Sequence, residues 1–261
     1  MRKVLVSCLI VMALIVASCS SEENAILPGG KGTVNLNMTV GADFGVANTR
    51  AVDLSQYQNK DNYTLQIFKS DNLNIPVESF TYAMMPMMPL TLDNGTYVLK
   101  AFYGVEHNSS RDEFLVTGSQ TFSVNSNDQS VKAVCRPTCA KVQVNFDTDM
   151  AKYFSDYFVV FSPTSGDVVW AKDDTNPWYI LVNKAGETVK ATIHITRKAE
   201  YGSGVASTTV ERSLSLAPDK SWTLKVAPSY ESGQLGIKII VDETTNDKDV
   251  EVEVPSEWYL D

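Results

Sequence analysis

The chain has 261 residues, with 31 acidic against 22 basic side chains and a formal net charge of -9. A surface that binds nucleic acid needs clustered Lys and Arg against the phosphates, so this balance argues against nucleic acid as a partner. The length suffices for two domains of ordinary size, and a hydrophobic content of 44% is that of a folded chain.

The first 18 residues have the layout of a secretory signal. Arg2 and Lys3 provide a positive start, and residues 4–16 are apolar apart from Ser7 and Cys8. This apolar stretch is shorter than the roughly 20 residues that a membrane-spanning helix needs. We therefore expect residues 1–18 to be removed on export.

The signal ends in Val16-Ala17-Ser18-Cys19, which is typical of a lipobox. Small residues admit a lipoprotein signal peptidase, and the diacylglycerol is attached through the cysteine sulfur, so Cys19 is predicted to carry the lipid, including palmitate. An ordinary signal with an accidental cysteine is the alternative. Residues 19–31 are polar and glycine-rich, which predicts a flexible tether.

Apolar and polar residues alternate with period two through the next part of the chain, as they do in half-buried strands. Asn94-Gly95 is a signal for a tight turn with positive φ angles. The pattern predicts a first β-sandwich over residues 32–134, with strands over 34–40, 63–67, 97–101, 114–124 and 130–134.

A second β-sandwich is predicted over residues 135–261. It begins with the alternation of Val142, Val144 and Phe146, which is followed by a helix predicted over residues 148–157. Asn246-Asp247-Lys248-Asp249 is interpreted as a hairpin loop. Further strands are expected over residues 157–161, 168–171, 178–182, 188–197, 208–216, 222–227, 235–242 and 250–254. Many short strands with almost no helix indicate an all-β chain of two tandem Greek-key sandwiches.

Two cysteines remain in the predicted mature body, Cys135 and Cys139. In an oxidising compartment they could form a small disulfide loop, but only if the chain bends at Pro137, because a straight strand holds them too far apart. Two buried free thiols are the main alternative. A zinc site is disfavoured because no histidine lies nearby.

The sequence contains no catalytic motif and predicts a protein that is not an enzyme and has no cofactor. His107 and His194 are the two histidines, and neither lies in a motif with a nucleophile. A glycosidase-type pair of carboxylates is the enzymatic alternative, since its two acids need only meet in space. Acidic turns are interpreted as solvated, so no metal site is predicted.

Two apolar features could contact a ligand or a partner. Trp178 follows Asn176-Pro177 and is the least core-like of the four tryptophans, so it is the candidate for contact with a sugar ring. The segment Met84-Met85-Pro86-Met87-Met88 is adaptable and apolar. We expect it to pack in the core or between the domains, with contact to a partner as the alternative.

Several of these segments together resemble the fimbrillin-like (Mfa/Fim-type) surface lipoproteins of gut and oral Gram-negative anaerobes, and most closely a subgroup of uncharacterised function. The resemblance rests on the lipobox and on the segments Gly32-Thr33-Val34-Asn35-Leu36, Asn48-Thr49-Arg50-Ala51, Leu92–Ala101 and Val131–Cys135. It implies a pair of transthyretin-like sandwiches that serve as a pilus subunit, an anchor or an adhesin. The acidic pair Glu22-Glu23 resembles the signal that sends such lipoproteins to the cell surface, anchored in the outer membrane, and a solvated linker is the alternative.

The resemblance also implies a mode of assembly. In polymerising fimbrillins a trypsin-like protease cuts after an arginine placed like Arg50, before Ala51, and a strand of a neighbouring subunit fills the groove left by the first strand. Residues 249–254 have valine at every second position and are the candidate donor strand. If Arg50 merely lies in a polar loop between residues 47 and 62 and is not cut, the chain keeps its lipid, which favours an anchor, a cap or a glycan-binding protein. The competing hypothesis is a glycan-binding lipoprotein that assists polysaccharide uptake, with host or dietary glycans as partners.

Overall fold

The structure is a computed structural model, and it describes residues 29–42, 44, 52–202, 206–231, 234–243 and 246–252. The predicted signal peptide, the lipidation site Cys19 and the predicted cleavage site Arg50-Ala51 lie outside these residues. Within these ranges, no helix is both long enough and apolar enough to span a bilayer.

The described chain is all-β, as predicted. The first part of the chain contains β1 (Lys31–Val40), β2 (Thr64–Lys69), β3 (Glu78–Thr81), β4 (Leu90–Asp93), β5 (Gly95–Tyr103), β6 (Ser109–Ser110), β7 (Val116–Val124) and β8 (Gln129–Pro137). The second part contains β9 (Cys139–Phe146), β10 (Phe154–Ser162), β11 (Val168–Trp170), β12 (Trp178–Leu181), β13 (Glu187–Arg197), β14 (Ser207–Leu216), β15 (Ser221–Glu231), β16 (Gln234–Glu243) and β17 (Asn246–Val252). Two α-helices lie within the described ranges, α1 (Leu54–Gln58) and α2 (Met150–Tyr153).

The first unit is built from one sheet with the strand order β3-β2-β5-β7-β8-β1-β4. Only two residue pairs join β7 to β8, so the sheet has two parts linked at a narrow seam. Buried side chains from both parts belong to one core, as expected for a sandwich. At the seam the two backbones approach closely, since a Cβ added to Gly118 would collide with the backbone of Val134.

The second unit is a sandwich of two sheets. Strands β11-β10-β13-β14 form the smaller sheet, and β17-β16-β15-β9-β12-β6 form the larger one. Alternate residues point inward, as the sequence pattern predicted, and the fully buried Trp170, Phe161 and Phe154 lie in the core between the sheets. The second sheet includes β6, which comes from the first part of the chain.

The two units are joined by a nearly uninterrupted extended segment. Strand β8 belongs to the first sheet and β9 to the second, and Thr138 is the one residue between them. The buried residues pass from one core to the other between Cys139 and Ala140, and Tyr179 of β12 returns to the first core. The predicted domain limits at residues 134 and 135 stay a prediction.

Three local predictions are wrong. The helix predicted over residues 148–157 is limited to α2, because Phe154 is extended and its buried side chain begins β10. Asn94-Gly95 does not have positive φ, since β4 and β5 pair with different strands rather than with each other. The loop predicted at residues 246–249 is part of β17, where Asp247 pairs with Asp242.

Gly104 offers a test of the packing at the end of β5. Its φ of 86° is left-handed, and an added Cβ would collide with the carbonyl oxygen of Phe114. Gly104→Ala should therefore lower the free energy of unfolding by about 3 kcal/mol or more, because steric overlap adds to backbone strain. Urea-induced unfolding of the purified protein measures this change.

Gly29→Ala is the matched control, because Gly29 has nearly the same φ of 87° but no atom within 4 Å of its added Cβ. Its cost should be limited to backbone strain, about 1 kcal/mol. Equal losses for the two variants would contradict the close approach of Phe114.

Candidate functional site at the first strand and the junction of the two units

Strand β1 is a structural component of the first unit through both its backbone and its side chains. It pairs in parallel with β8 over Val34–Val40 and antiparallel with β4 over Lys31–Val34. Val34 and Met38 are buried in the core at 1% and 0% exposure. Beyond the strand, the buried ring of Phe44 extends this contribution to the junction.

The segment 84–88, here called the methionine loop, lies beside β1. Its residues 85–88, together with Pro89 and Leu90, line a shallow groove of about 110 Å³ whose other wall is residues 34–36 of β1. Met84, Met87 and Met88 are 78%, 104% and 77% exposed. The prediction that this segment packs in the core or between the domains is therefore wrong for these three side chains, and they are free to meet solvent or a partner.

An aromatic cluster joins the two units. The Tyr179 ring of β12 stacks on Phe114 at 4.6 Å and lies 5.6 Å from Phe44. On its other side Phe114 stacks on Tyr57 at 4.0 Å, and the Phe114 backbone N–H donates to the Tyr57 hydroxyl at 3.2 Å. Tyr63 in turn donates its hydroxyl to the Tyr57 carbonyl at 2.6 Å. These rings pack side by side, so the interface is apolar at its centre.

Lys141 is buried at this interface, with an exposure of 1%. It pairs across the sheet with Tyr179 on one side and with Ser221 on the other. Among the described residues neither the Lys141 Nζ nor the Tyr179 hydroxyl has a hydrogen-bond partner. Burial lowers the pKa of Lys141 and raises the pKa of Tyr179, because it disfavours the charged form of each group.

Arg111, which follows β6, forms with Asp174 an ion pair between the units, here called the clasp. Its guanidinium binds both carboxylate oxygens of Asp174, at 3.0 and 2.5 Å, and donates to the carbonyl oxygens of Asn176 and Val169. The Arg111 and Asp174 side chains are only 24% and 22% exposed. Bidentate pairing of this kind fixes geometry as well as adding energy.

The same arginine lies over Trp178, the predicted ligand-contacting residue. The guanidinium carbon of Arg111 is 4.4 Å from the centre of the Trp178 ring, and the indole N–H donates to the Val169 carbonyl at 3.3 Å. Trp178 is half-buried and packs against the second core. One face of the ring is thus already occupied by a cation. The sugar contact stays a prediction, while the geometry assigns Trp178 a part in holding the units together.

Cys135 and Cys139 are buried free thiols in this structure, which is the second of the two alternatives. Cys135 lies on β8 and Cys139 begins β9, on either side of the bend at Thr138. Burial raises the pKa of Cys135 to about 11 and raises that of Cys139 further. Neither thiol is therefore activated as a nucleophile.

The two histidines have ordinary surroundings. His107 Nε2 lies 2.7 Å from Glu113 Oε1 on the surface. His194 stacks on Phe158 across β10 and β13, at 4.3 Å between ring centres. Over the described ranges no three His, Cys, Asp or Glu side chains are grouped to hold a metal ion.

Sequence reasoning missed Arg111, Lys141 and Tyr179 as junction residues. Arg111 lies in the polar run 106–111, which is typical of a surface loop. Tyr179 and Lys141 alternate with residues of the second core, so their inward-facing neighbours were recognisable from the pattern. The pattern contains no sign that the other face of this sheet is also covered.

Comparison with known proteins identifies a family that this chain matches. The family described as a domain of unknown function, DUF4493, matches residues 30–256. No curated protein matches the chain. A match to a family of unknown function agrees with the uncharacterised subgroup that the sequence resembles.

Solved structures with a similar arrangement include two fimbrial proteins. A fimbrial assembly protein from Parabacteroides distasonis is 9% identical, with a TM-score of 0.47 over 85% of this chain and 98% of that one. The fimbrial anchor protein Mfa2 from Porphyromonas gingivalis is 10% identical, with a TM-score of 0.39 over 85% and 100% of the two chains. Both TM-scores are low, so neither likeness by itself establishes a shared function.

Lys141 provides a test of the junction. Lys141→Met removes a buried amine without a partner while keeping its apolar stem, so it should raise the free energy of unfolding by about 1–3 kcal/mol near pH 7. Because the pKa of Lys141 is lowered in the folded state, the wild type regains stability as pH rises through that pKa. The gain from the substitution should therefore shrink by about pH 10, near the pKa of lysine in an unfolded chain.

Thermal and urea unfolding at both pH values measure the difference between variant and wild type. Lys132→Met is the matched control, since Lys132 is exposed on β8. It should change stability by about 0.5 kcal/mol or less. Destabilisation by Lys141→Met at neutral pH would show that the amine has a partner in solution.

The Arg111–Asp174 pair can be tested by a double-mutant cycle with Arg111→Ala and Asp174→Ala. The coupling energy should be about 1–3 kcal/mol, because the pair is bidentate and mostly buried. Lys190–Glu211 is the control pair, at 2.9 Å but 51% and 58% exposed, and its coupling should be about 0.5 kcal/mol or less. Similar couplings for the two pairs would contradict a structural clasp at Arg111.

Proposed function

Because the chain belongs to the family defined by the DUF4493 domain, whose function is unknown, we propose that it is a non-catalytic, lipid-anchored protein of the cell surface. In this proposal it joins other pilin subunits by strand exchange, as a pilus subunit, an anchor or an adhesin. The observation that carries the proposal is the position of β1. It is a core strand that precedes the segment containing Arg50, and Val34–Val40 lie beside β8.

The energetics of β1 favour exchange rather than simple loss. A cut after Arg50 would detach the buried side chains of Val34, Met38 and Phe44 from the rest of the first unit. Full burial of each is worth about 1.5–3 kcal/mol, so an empty groove would cost a large part of the stability of a domain. A replacement strand from another chain would restore this burial.

The backbone hydrogen bonds of β1 likewise favour a replacement strand over an empty groove. Without β1, the edges of β8 and β4 that now pair with it would have unpaired N–H and C=O groups. Such edges bind a strand from another chain because each unpaired buried group costs free energy. β-Strand addition satisfies the groups, and side-chain pockets at alternate positions provide specificity.

The proposed donor is the segment 249–254. Its first residues belong to β17, which is paired with β16 and ends the strand order of its sheet. A terminal strand breaks hydrogen bonds with one neighbour only when it leaves. Valines 250, 252 and 254 repeat the spacing of Val34, Leu36 and Met38.

Charge also favours this donor. In β1 the neutral Asn37 lies opposite the exposed Lys132 of β8. If Val250 takes the position of Val34, the sequence puts Glu253 at the position of Asn37. An opposite-charge pair across two strands adds about 0.2–1 kcal/mol, which helps to set the register.

Loss or retention of the lipid distinguishes two roles for the chain. A chain cut after Arg50 loses Cys19 and with it the anchor, so it can act only as a polymerising subunit. An uncut chain keeps both β1 and the lipid, which suits an anchor, a cap or an adhesin. In either form β17 can leave its sheet and serve a neighbour.

Mass spectrometry of the protein from its native cells tests this proposal. A mature chain that begins at acylated Cys19 identifies the anchored form, and one that begins at Ala51 identifies a subunit that has lost β1. If the Ala51 form is present, Arg50→Ala should keep β1 in place and abolish the ladder of multimers on a gel of unheated samples. Strand exchange at β1 requires the cut.

Lys60→Ala is the matched control for the protease, because Lys60 is a nearby basic residue in a short 3-10 turn, and the ladder should survive it. Cys19→Ala should move an otherwise folded protein to the soluble fraction. Membrane retention of that variant after a salt wash would contradict the lipid anchor. A chain that begins at Ala51 yet stays monomeric would contradict strand exchange.

A further inference from the structure

Thioether sulfur is distributed very unevenly over this protein. The sequence has eight methionines, of which Met1 and Met12 lie in the predicted signal and four lie in the methionine loop. The other two, Met38 and Met150, are each 0% exposed in the two cores. Accessible thioethers in the described part of the chain are therefore concentrated within five consecutive residues.

We propose that the methionine loop is an oxidation site for two-electron oxidants of the hydrogen peroxide and hypochlorous acid class. The sites are Met84, Met87 and Met88, whose exposures are 78%, 104% and 77%. Susceptibility of a thioether follows its access to solvent, and these three side chains are nearly as open as in an unfolded chain. This proposal is independent of strand exchange.

The chemistry is an oxygen transfer to sulfur. A lone pair of the thioether sulfur attacks one peroxide oxygen, an S–O bond forms, and the O–O bond breaks. The departing hydroxide takes up the proton of the transferred oxygen and leaves as water. The sulfur is oxidised by two electrons to the sulfoxide, and the peroxide is reduced.

The loop can accept this change without loss of the fold. It connects a 3-10 turn (Tyr82–Met84) that follows β3 to the start of β4. Pro86 lies within the loop, and Pro89 follows it directly. The exposed side chains add little to either core, so making them polar costs little packing. Oxidation of Met38 or Met150 would by contrast place a polar sulfoxide in a core.

The consequence lies in the groove beside β1. Its methionine wall is apolar and adaptable, which suits contact with another apolar surface. A sulfoxide at Met87 or Met88 adds a strong hydrogen-bond acceptor and a hydration shell to that wall. Oxidant therefore lowers the apolar character of this surface while the sandwiches stay folded.

Peptide mapping by mass spectrometry, on mature lipoprotein solubilised in detergent and treated with hydrogen peroxide, tests the site. Met84, Met87 and Met88 should form sulfoxide at least about tenfold faster than Met38 and Met150, and in urea the five rates should become similar. The melting temperature should not change once the three loop residues are oxidised. Equal rates in the native protein would overturn the proposal.

The variant Met84→Leu/Met87→Leu/Met88→Leu keeps the apolar surface and removes the sulfur. With the non-lipidated Cys19→Ala protein as the background, peroxide should shorten retention on a hydrophobic column, and it should leave the triple variant unchanged. An unchanged retention of the oxidised parent would overturn the proposed effect on the surface. An equal shift in the triple variant would place the responsive groups elsewhere.

Discussion

The arrangement of the molecule depends on one extended segment that serves two sheets in succession. Residues 129–146 run almost without interruption, and Thr138 alone separates β8 from β9. A strand that changes sheets must satisfy its backbone groups at the crossing. Here Thr138 donates its N–H to the Leu115 carbonyl, and the Cys139 carbonyl accepts from the Asp219 N–H, both at 3.0 Å. Neighbours from both units thus hold the crossing, which brings the two cores together.

Because of this crossing, one sheet is covered on both of its faces at the junction. Sheet β17-β16-β15-β9-β12-β6 buries its inner face against the second core, and near β9 and β12 its outer face meets the first unit. Side chains there have no path to water. The Tyr179 ring stacks on Phe114, although its hydroxyl has no hydrogen-bond partner among the residues that the structure describes. Burial of Lys141 leaves its amine without a partner in the same part of the chain, which costs free energy. The clasp of Arg111 and Asp174 at the rim adds the polar contacts that the centre lacks.

The thiols and histidines all lie against other residues of the fold. The thiols are buried and their pKa values are raised, and the histidines contact Glu113 and Phe158. The features that face outward are strand edges and the methionine loop. Residues 34–36 of β1 form one wall of the groove and the loop forms the other. A strand that replaced β1 would therefore pack beside the same methionines, so the proposed exchange site and the proposed oxidation site adjoin each other.

Much of this architecture follows from local pattern. Period-two alternation located β1, β2, β5, β7, β8 and β9 to within a few residues, because half-buried strands must present apolar side chains on one face. The predictions of a lipobox at Cys19 and of a cleavage site at Arg50 also rest on residues alone, since signals of these kinds are linear stretches that enzymes recognise in an extended chain.

Where patterns competed, tertiary contacts decided the outcome. The helix predicted over residues 148–157 is shortened because Phe154 is drawn into the second core as the first residue of β10. Asn94-Gly95 is not a hairpin because β1 and β2, distant in sequence, take the strands on either side of it. The exposure of the methionine loop and the burial of Lys141 depend on which surfaces the other unit covers. A sequence determines which residues alternate, but only the assembled sheets determine which faces are hidden from water, because burial is a property of neighbours that are distant along the chain.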